Sequence, residues 1–174
     1  MHGGRVTSKQ KFSSISSSLD EMPYYDHIAD LYNELHGEEQ KKKLQLIIPF
    51  LDSNSILDVG CGTGIASPQE SVGVDPSKEL LARNTVCKET YEGKAEALPF
   101  PNKSFDIITC LTAIHHCNVD KALDEFKRVA RKKIIISVLK RIVQHESLVQ
   151  KIKKELRVIK EIDEEKDIIL VATL

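Results

Sequence analysis

The 174-residue chain is 29% charged and 41% hydrophobic, with a net charge of −1 and a pI near 6.6. That length suits one domain and buries roughly two-thirds of the unfolded surface without staples. The charge balance excludes a generally basic nucleic-acid coat, though not a local patch. No apolar run reaches the roughly 18 residues of a membrane span, and no apolar h-region marks a signal peptide. Cys61, Cys87, Cys110 and Cys117 include no Cys-x-x-Cys pair and fit neither a zinc site nor a disulfide framework. Together these features predict a reduced, cytoplasmic domain with no membrane contact and no metal.

Residues 1–21 are polar and serine-rich and predict a mobile tail. From Pro23 onward, Tyr25, Ile28, Ala29, Leu31, Tyr32 and Leu35 recur at helical spacing, which predicts a helix over Tyr24–His36 with Gly37 as its C-cap. A second helix is predicted from Glu38 to Leu51, kinked or stopped by Pro49. Apolar strands then alternate with helices. Strands are predicted at Ser55–Val59, Ser71–Asp75, Tyr91–Ala95, Phe105–Cys110 and Ile134–Leu139, and helices at Ser77–Asn84, Val119–Arg131 and Ile142–Leu156. Between Gly64 and Val72 the interrupted run IASPQES leaves room for a helix of only one or two turns. Arg157–Ile162 and Ile168–Thr173, joined by a charged turn, predict an antiparallel hairpin. The alternation implies an α/β fold: a Rossmann-like, doubly wound sheet of seven strands, mostly parallel, ending in the antiparallel hairpin, with helices on both faces.

The sharpest motif is Asp58-Val59-Gly60-Cys61-Gly62-Thr63-Gly64, directly after the first strand. Alternating glycines let a backbone turn tightly and approach a ligand, and in a doubly wound sheet this turn lines the ligand crevice. The G-x-G-x-G spacing is not the G-x-G-x-x-G of dinucleotide folds, and Gly-Lys-Ser/Thr is absent. Asp58 would repel a pyrophosphate by about 1–4 kcal/mol at contact range, and it suits a cationic amino group. Asp75, ending the second strand, can accept from two ribose hydroxyls. An amino-acid end, a ribose and no phosphate describe S-adenosylmethionine (SAM).

Four stretches, Ile56–Gly64 (ILDVGCGTG), Val72–Asn84, Gly93–Asp106 and Ile107–His116, preserve the motif order of a known family. On them the chain resembles the class I SAM-dependent methyltransferases, the group with ILDVGCGTG as first motif. The resemblance implies a single methyltransferase domain over 22–174, with entry helices 23–51, a cofactor half 55–110 and a C-terminal half 111–174. It implies SAM as cofactor and S-adenosylhomocysteine as product. It places Asp58, Gly60, Cys61, Gly62 and Gly64 around the methionine end, Asp75 and Pro76 at the ribose, and Ala95, Glu96, Ala97 and Leu98 near the adenine. Cys110, Leu111 and Thr112 would line the pocket under the sulfonium, and Tyr25, with Tyr24 or Tyr32, would close over the methionine side. Where relatives carry Gly-Asp-Ala, this chain has Gly93-Lys94-Ala95, so Glu96 is the remaining carboxylate for the adenine amino group.

The acceptor is less defined. His115 and His116 are candidate catalytic residues, as base or as positioning groups; the plainer alternative is that they only begin the next loop. From Lys121 to Lys160, thirteen bases face four acids, a local excess of +9. That excess is either a pair of solvated helix faces or a surface for RNA or an acidic protein. Without a lid insertion before the last hairpin, the acceptor side is open, which favours RNA or protein over a small metabolite. IHHC (Ile114–Cys117) resembles a stretch of the tRNA wobble-uridine methyltransferases. The third strand is expected at a sheet edge, where a small activating subunit could pair. The alternative function is a SAM-binding, non-catalytic regulatory subunit or scaffold.

Overall fold

The computed structural model describes residues 32–174, with side chains from Gly37 onward. The predicted tail 1–21 and most of the helix predicted from Tyr24 lie outside the described residues. Seven strands form one sheet in the order β3-β2-β1-β4-β5-β7-β6. They are β1 (Ile56–Val59), β2 (Val72–Asp75), β3 (Glu89–Glu92), β4 (Phe105–Cys110), β5 (Ala130–Leu139), β6 (Arg157–Asp163) and β7 (Asp167–Thr173). The pairs from β3 to β5 are parallel, and β7 runs antiparallel between β5 and β6. The doubly wound sheet, its edge strand β3 and the closing hairpin are as expected.

Side chains alternate across each strand. On one face Leu57, Val59, Ile108, Ile134, Ile136, Leu170 and Ala172 pack beneath α3 (Val119–Val129) and α4 (His145–Glu155). Ala122, Leu123, Phe126 and Val129 of α3 recur at helical spacing and are all buried, so one stripe of that helix meets the sheet. On the other face Ile56, Ile107, Ile135, Ile169 and Val171 pack against Ile47 at the end of α1 (Tyr32–Ile47). Toward the carboxyl ends of the parallel strands this second face turns polar, presenting Asp58, Thr109, Ser137 and Asp167, all buried.

Several boundaries differ from expectation for identifiable reasons. Gly37 does not cap a helix; α1 runs through it to Ile47. Gly37 is buried, and a Cβ there would stand 3.3 Å from Ile65 Cδ1, so glycine serves close approach to the loop after β1. The following residues Ile48–Phe50 form a 3-10 turn with Pro49 at its start, where the missing N–H is tolerated. No helix of even one turn connects β1 to β2: residues 60–71 form successive turns, because Gly60, Gly62 and Gly64 all take positive φ and Pro68 follows. β3 begins two residues earlier than predicted, and Ala95 lies beyond it in a turn closed by a Lys94–Ala97 bridge. The helix expected over Ser77–Asn84 shrinks to α2 (Lys78–Leu81), capped by the Ser77 hydroxyl accepting from Leu80 N–H at 3.2 Å. α3 passes into β5 at Ala130 with no intervening loop.

Candidate cofactor site

The glycine loop is shaped by the protein's own packing. Gly60, Gly62 and Gly64 take φ of +75°, +49° and +87°, a region closed to most side chains. A Cβ on Gly60 would stand 2.4 Å from the Ala113 Cβ, and one on Gly64 2.6 Å from Asn84 Oδ1. Two of the three glycines therefore admit neighbouring protein atoms rather than a ligand. The loop's N–H groups also turn inward. Gly60 and Cys61 donate to the Val74 carbonyl at 2.8 and 3.2 Å, Gly62 to Asp75 Oδ2 at 2.9 Å, and Gly64 to the Cys61 carbonyl at 2.9 Å. A loop whose donors are used in this way is not an anion-binding nest.

The two acids hold the loop from opposite sides. Asp75 ends β2 and is buried; its Oδ1 accepts from Ser77 N–H at 2.9 Å while Oδ2 holds Gly62. It thus ties the glycine loop to the start of α2, with Pro76 half-buried between. Asp58 is 3% exposed. Its Oδ2 accepts from Ser67 Oγ at 2.5 Å and its Oδ1 from Thr109 Oγ1 at 2.6 Å, across the β1–β4 register. Two hydroxyls thus occupy the oxygens expected to meet an ammonium group, and Asp58 anchors the end of the loop instead. Burial raises its carboxyl to about 7, against the lowering effect of both hydroxyls.

That shift gives a stability prediction. A carboxyl whose folded-state pKa is raised stabilises the fold while protonated, and the contribution is lost as pH rises through the folded value. Asp58→Asn should gain on the wild-type chain as pH rises from 5 to 7, by about 1 kcal/mol or more per pH unit at the steepest. Urea unfolding of the ligand-free proteins at several pH values checks this; a stability difference that stays flat with pH refutes it.

The remaining expected residues divide. Leu98 is buried and its N–H donates to Glu125 Oε2 at 2.7 Å; the Ala97 N–H donates to the Lys94 carbonyl at 3.1 Å. Neither N–H is directed to an adenine. Glu96 Oε1 accepts from Asn118 N–H at 2.6 Å, which joins the loop after β3 to the start of α3. Ala95 is buried. The Cys110 side chain is fully buried in the core under α3, so it lines no pocket; Leu111 faces the opposite, α1 side. Tyr25 and Tyr24 lie outside the described residues, as does the Tyr32 side chain. His115 and His116 sit in a 3-10 turn, Ile114–His116, with ring centroids 3.9 Å apart. Among the described residues His115 Nδ1 is buried without a hydrogen-bond partner. Burial, then the neighbouring His116 and cationic Arg141 and Lys43, holds His115 down to about 3. A ring this reluctant to take a proton is a poor general base at neutral pH.

One group of residues escaped the sequence reading. Lys43, fully buried in α1, donates to Thr112 Oγ1 at 2.8 Å and Glu39 Oε1 at 2.9 Å. Its ammonium also lies 2.7 Å from Asp167 Oδ2, in ion-pair contact but off the line of a hydrogen bond. Lys42–Glu164 and Lys166–Glu39 pairs complete a clamp between α1 and the hairpin turn. Thr112 takes φ +61°, an unusual backbone for a β-branched residue, and its N–H donates to Ser137 Oγ at 2.7 Å. Lys43 and Ser137 thus hold a strained turn whose next residue, Ala113, presses on Gly60. The signal in the sequence was slight: Gln40, Lys43 and Ile47 lie at helical spacing, but a lysine on such a stripe reads as solvated.

An open, mostly parallel sheet with an acid before its first glycine turn and another ending β2 is a Rossmann-like arrangement. A family model described as a methyltransferase domain matches residues 57–138. The chain is 37% identical over 116 residues to the uncharacterized protein MJ1252 of Methanocaldococcus jannaschii, covering 62% of this chain and 46% of that one. It is 35% identical over 122 residues to the uncharacterized methyltransferase YcgJ of Bacillus subtilis, covering 60% and 48%. The chain spans about half the length of these curated relatives. In fold it is similar to the magnesium protoporphyrin IX methyltransferase of Synechocystis PCC 6803, solved with bound SAM. The TM-score is 0.72 at 15% identity, covering 94% of this chain and 99% of that one. Residues 57–138 thus match a methyltransferase domain, and the sheet has the fold of solved SAM-dependent methyltransferases. No helix among the described residues is long and apolar enough to cross a membrane.

Proposed function

We propose that the chain binds SAM across the carboxyl ends of β1, β2 and β4 and transfers its methyl group. The observation that carries this is the chemistry of the loop: the Asp75 carboxylate at the end of β2 and four inward-turned N–H groups. Such a crevice rejects phosphate and accepts a cationic nucleoside. Asp75 accepts from the ribose hydroxyls in addition to its own backbone donors, and the turn Leu111–Ala113 walls the methionine end. Bound SAM supplies an electrophilic methyl carbon on a sulfonium leaving group. The protein's contribution is then alignment and exclusion of water.

For the acceptor, the short chain connection from β5 to β6, residues 140–156, which carries no lid insertion, favours a macromolecule. Of the two macromolecular classes we favour protein. Eight of the thirteen bases between Lys121 and Lys160 are ion-paired: Lys127, Arg128, Arg131, Lys132, Lys133, Lys140, Lys151 and Lys153. This internal pairing leaves less charge for phosphates than the sequence suggests.

Calorimetric titration with SAM should give a micromolar Kd, and methyl-labelled SAM should mark a cellular protein fraction. Absence of SAM binding sinks the reading. Binding with no labelled protein, RNA or metabolite, partners being present, turns it toward the non-catalytic subunit.

A further inference from the structure

Cys61 and Cys87 are distant in sequence and adjacent in space. Cys61 stands in the glycine loop; Cys87 lies in the turn leading from α2 to β3. Both sulfurs crowd onto Gly73 of β2: a Cβ there would stand 2.6 Å from Cys61 Sγ and 2.9 Å from Cys87 Sγ. Glycine at position 73 is what lets two thiols share one spot. Asn84 fastens the Cys87 turn to the loop. Its Nδ2 donates to the Gly62 carbonyl at 3.1 Å, and its Oδ1 accepts from Val86 and Cys87 N–H at 3.1 and 3.0 Å. Ser71 Oγ and Asn84 Nδ2 each lie 3.5 Å from Cys87 Sγ.

These contacts make the two thiols unequal. The neighbouring Cys61 thiol has the largest effect on Cys87, and Ser71, Ser67 and Asn84 add to it. Together they bring Cys87 to about 6 against the opposing influence of burial. Cys61, beside Cys87 and buried, is pushed far up and keeps its proton. A half-buried thiolate beside a protonated thiol is the arrangement of an attacking and a resolving cysteine.

We propose that Cys61 and Cys87 form a peroxide-reactive dithiol site whose conversion to a disulfide disables the cofactor loop. The Cys87 sulfur attacks one oxygen of a hydroperoxide; the O–O bond breaks, hydroxide (from hydrogen peroxide) leaves, and Cys87 becomes a sulfenic acid. The Cys61 sulfur then attacks the Cys87 sulfur, the S–O bond breaks, and the departing hydroxide takes the Cys61 proton as water. Two thiols lose two electrons to one peroxide, giving one disulfide and two waters. An S–S bond of about 2.0 Å draws together the two sulfurs that flank Gly73, and so pulls on the Cys61 backbone as well as on the Cys87 turn. That backbone lies between the Gly60 N–H held by Val74 and the Gly62 N–H held by Asp75. The effect on ligand affinity rests on the SAM reading above; the thiol chemistry does not.

The experiment treats the whole protein with hydrogen peroxide, alkylates it under denaturing conditions and maps its peptides. Four free thiols should fall to two, with a Cys61–Cys87 linked peptide and with Cys110 and Cys117 alkylated. SAM affinity should drop at least tenfold and return on reduction with dithiothreitol, and Cys87→Ser should bind SAM normally before and after peroxide. Absence of the linked peptide, or its formation with SAM affinity unchanged, overturns the proposal. If the reduced protein does not bind SAM, the cofactor reading fails separately, while the peptide map still decides the dithiol.

Discussion

Lys43→Met should lower stability by about 3–5 kcal/mol at pH 8, the usual cost of breaking a buried ion pair from one side. The variant keeps side-chain length but leaves Asp167, which is fully buried, without its cation. It also removes the donor to Thr112 Oγ1, so a strained turn loses one of its two ties. Burial already raises the Asp167 carboxyl above its ordinary value, with Lys43 as the opposing influence. Without Lys43 it rises further, and the protonated acid is the form the interior tolerates. The loss should therefore shrink toward pH 5, and adding Asp167→Asn should recover much of it at pH 8. Urea unfolding of the single and double variants at both pH values is the check. A loss under about 1 kcal/mol, or one that does not change with pH, would show that the network is not the anchor described.

The second large effect is on ligand affinity. Asp75→Ala should weaken SAM binding at least tenfold, or about 1.4 kcal/mol. The substitution removes the acceptor assigned to the ribose and frees the Gly62 and Ser77 N–H groups that Asp75 holds. Those two donors then face a cavity without partners, which costs stability as well. Calorimetry well below the melting temperature separates the two effects, since loss of fold alone lowers the active fraction rather than the Kd. An unchanged Kd in a folded variant would remove Asp75 from the binding site and, with it, the main reason for placing a ribose at the end of β2.

The architecture is largely legible in the sequence. Ile56–Val59, Phe105–Cys110 and Ile134–Leu139 are apolar runs that only a buried sheet accommodates, and Gly60, Gly62 and Gly64 permit the sharp turn that follows β1. The hairpin Arg157–Asp163 with Asp167–Thr173 could be read from its short charged connection. Helix ends were less legible. Gly37 looks like a terminator because glycine lacks a Cβ, and the same property lets α1 pass close to Ile65. Local propensity cannot distinguish these two uses.

For the site, residue type alone predicts that an acid-flanked, glycine-rich turn does not hold phosphate. That inference depends on charge and spacing, which are properties of the chain itself. What Asp58 does was decided by tertiary contacts: Ser67 and Thr109 close over its oxygens, and burial changes its protonation. The same holds for Lys43, whose partners lie 4, 69 and 124 residues away along the chain, and for Cys61 and Cys87, brought together over Gly73. The sequence alone determined the sheet, the glycine turn and the sign of its charge, because those follow from local periodicity and side-chain chemistry. Only the folded structure decided which polar groups are buried, paired or ionised, because desolvation and hydrogen bonding depend on neighbours that sequence distance does not reveal.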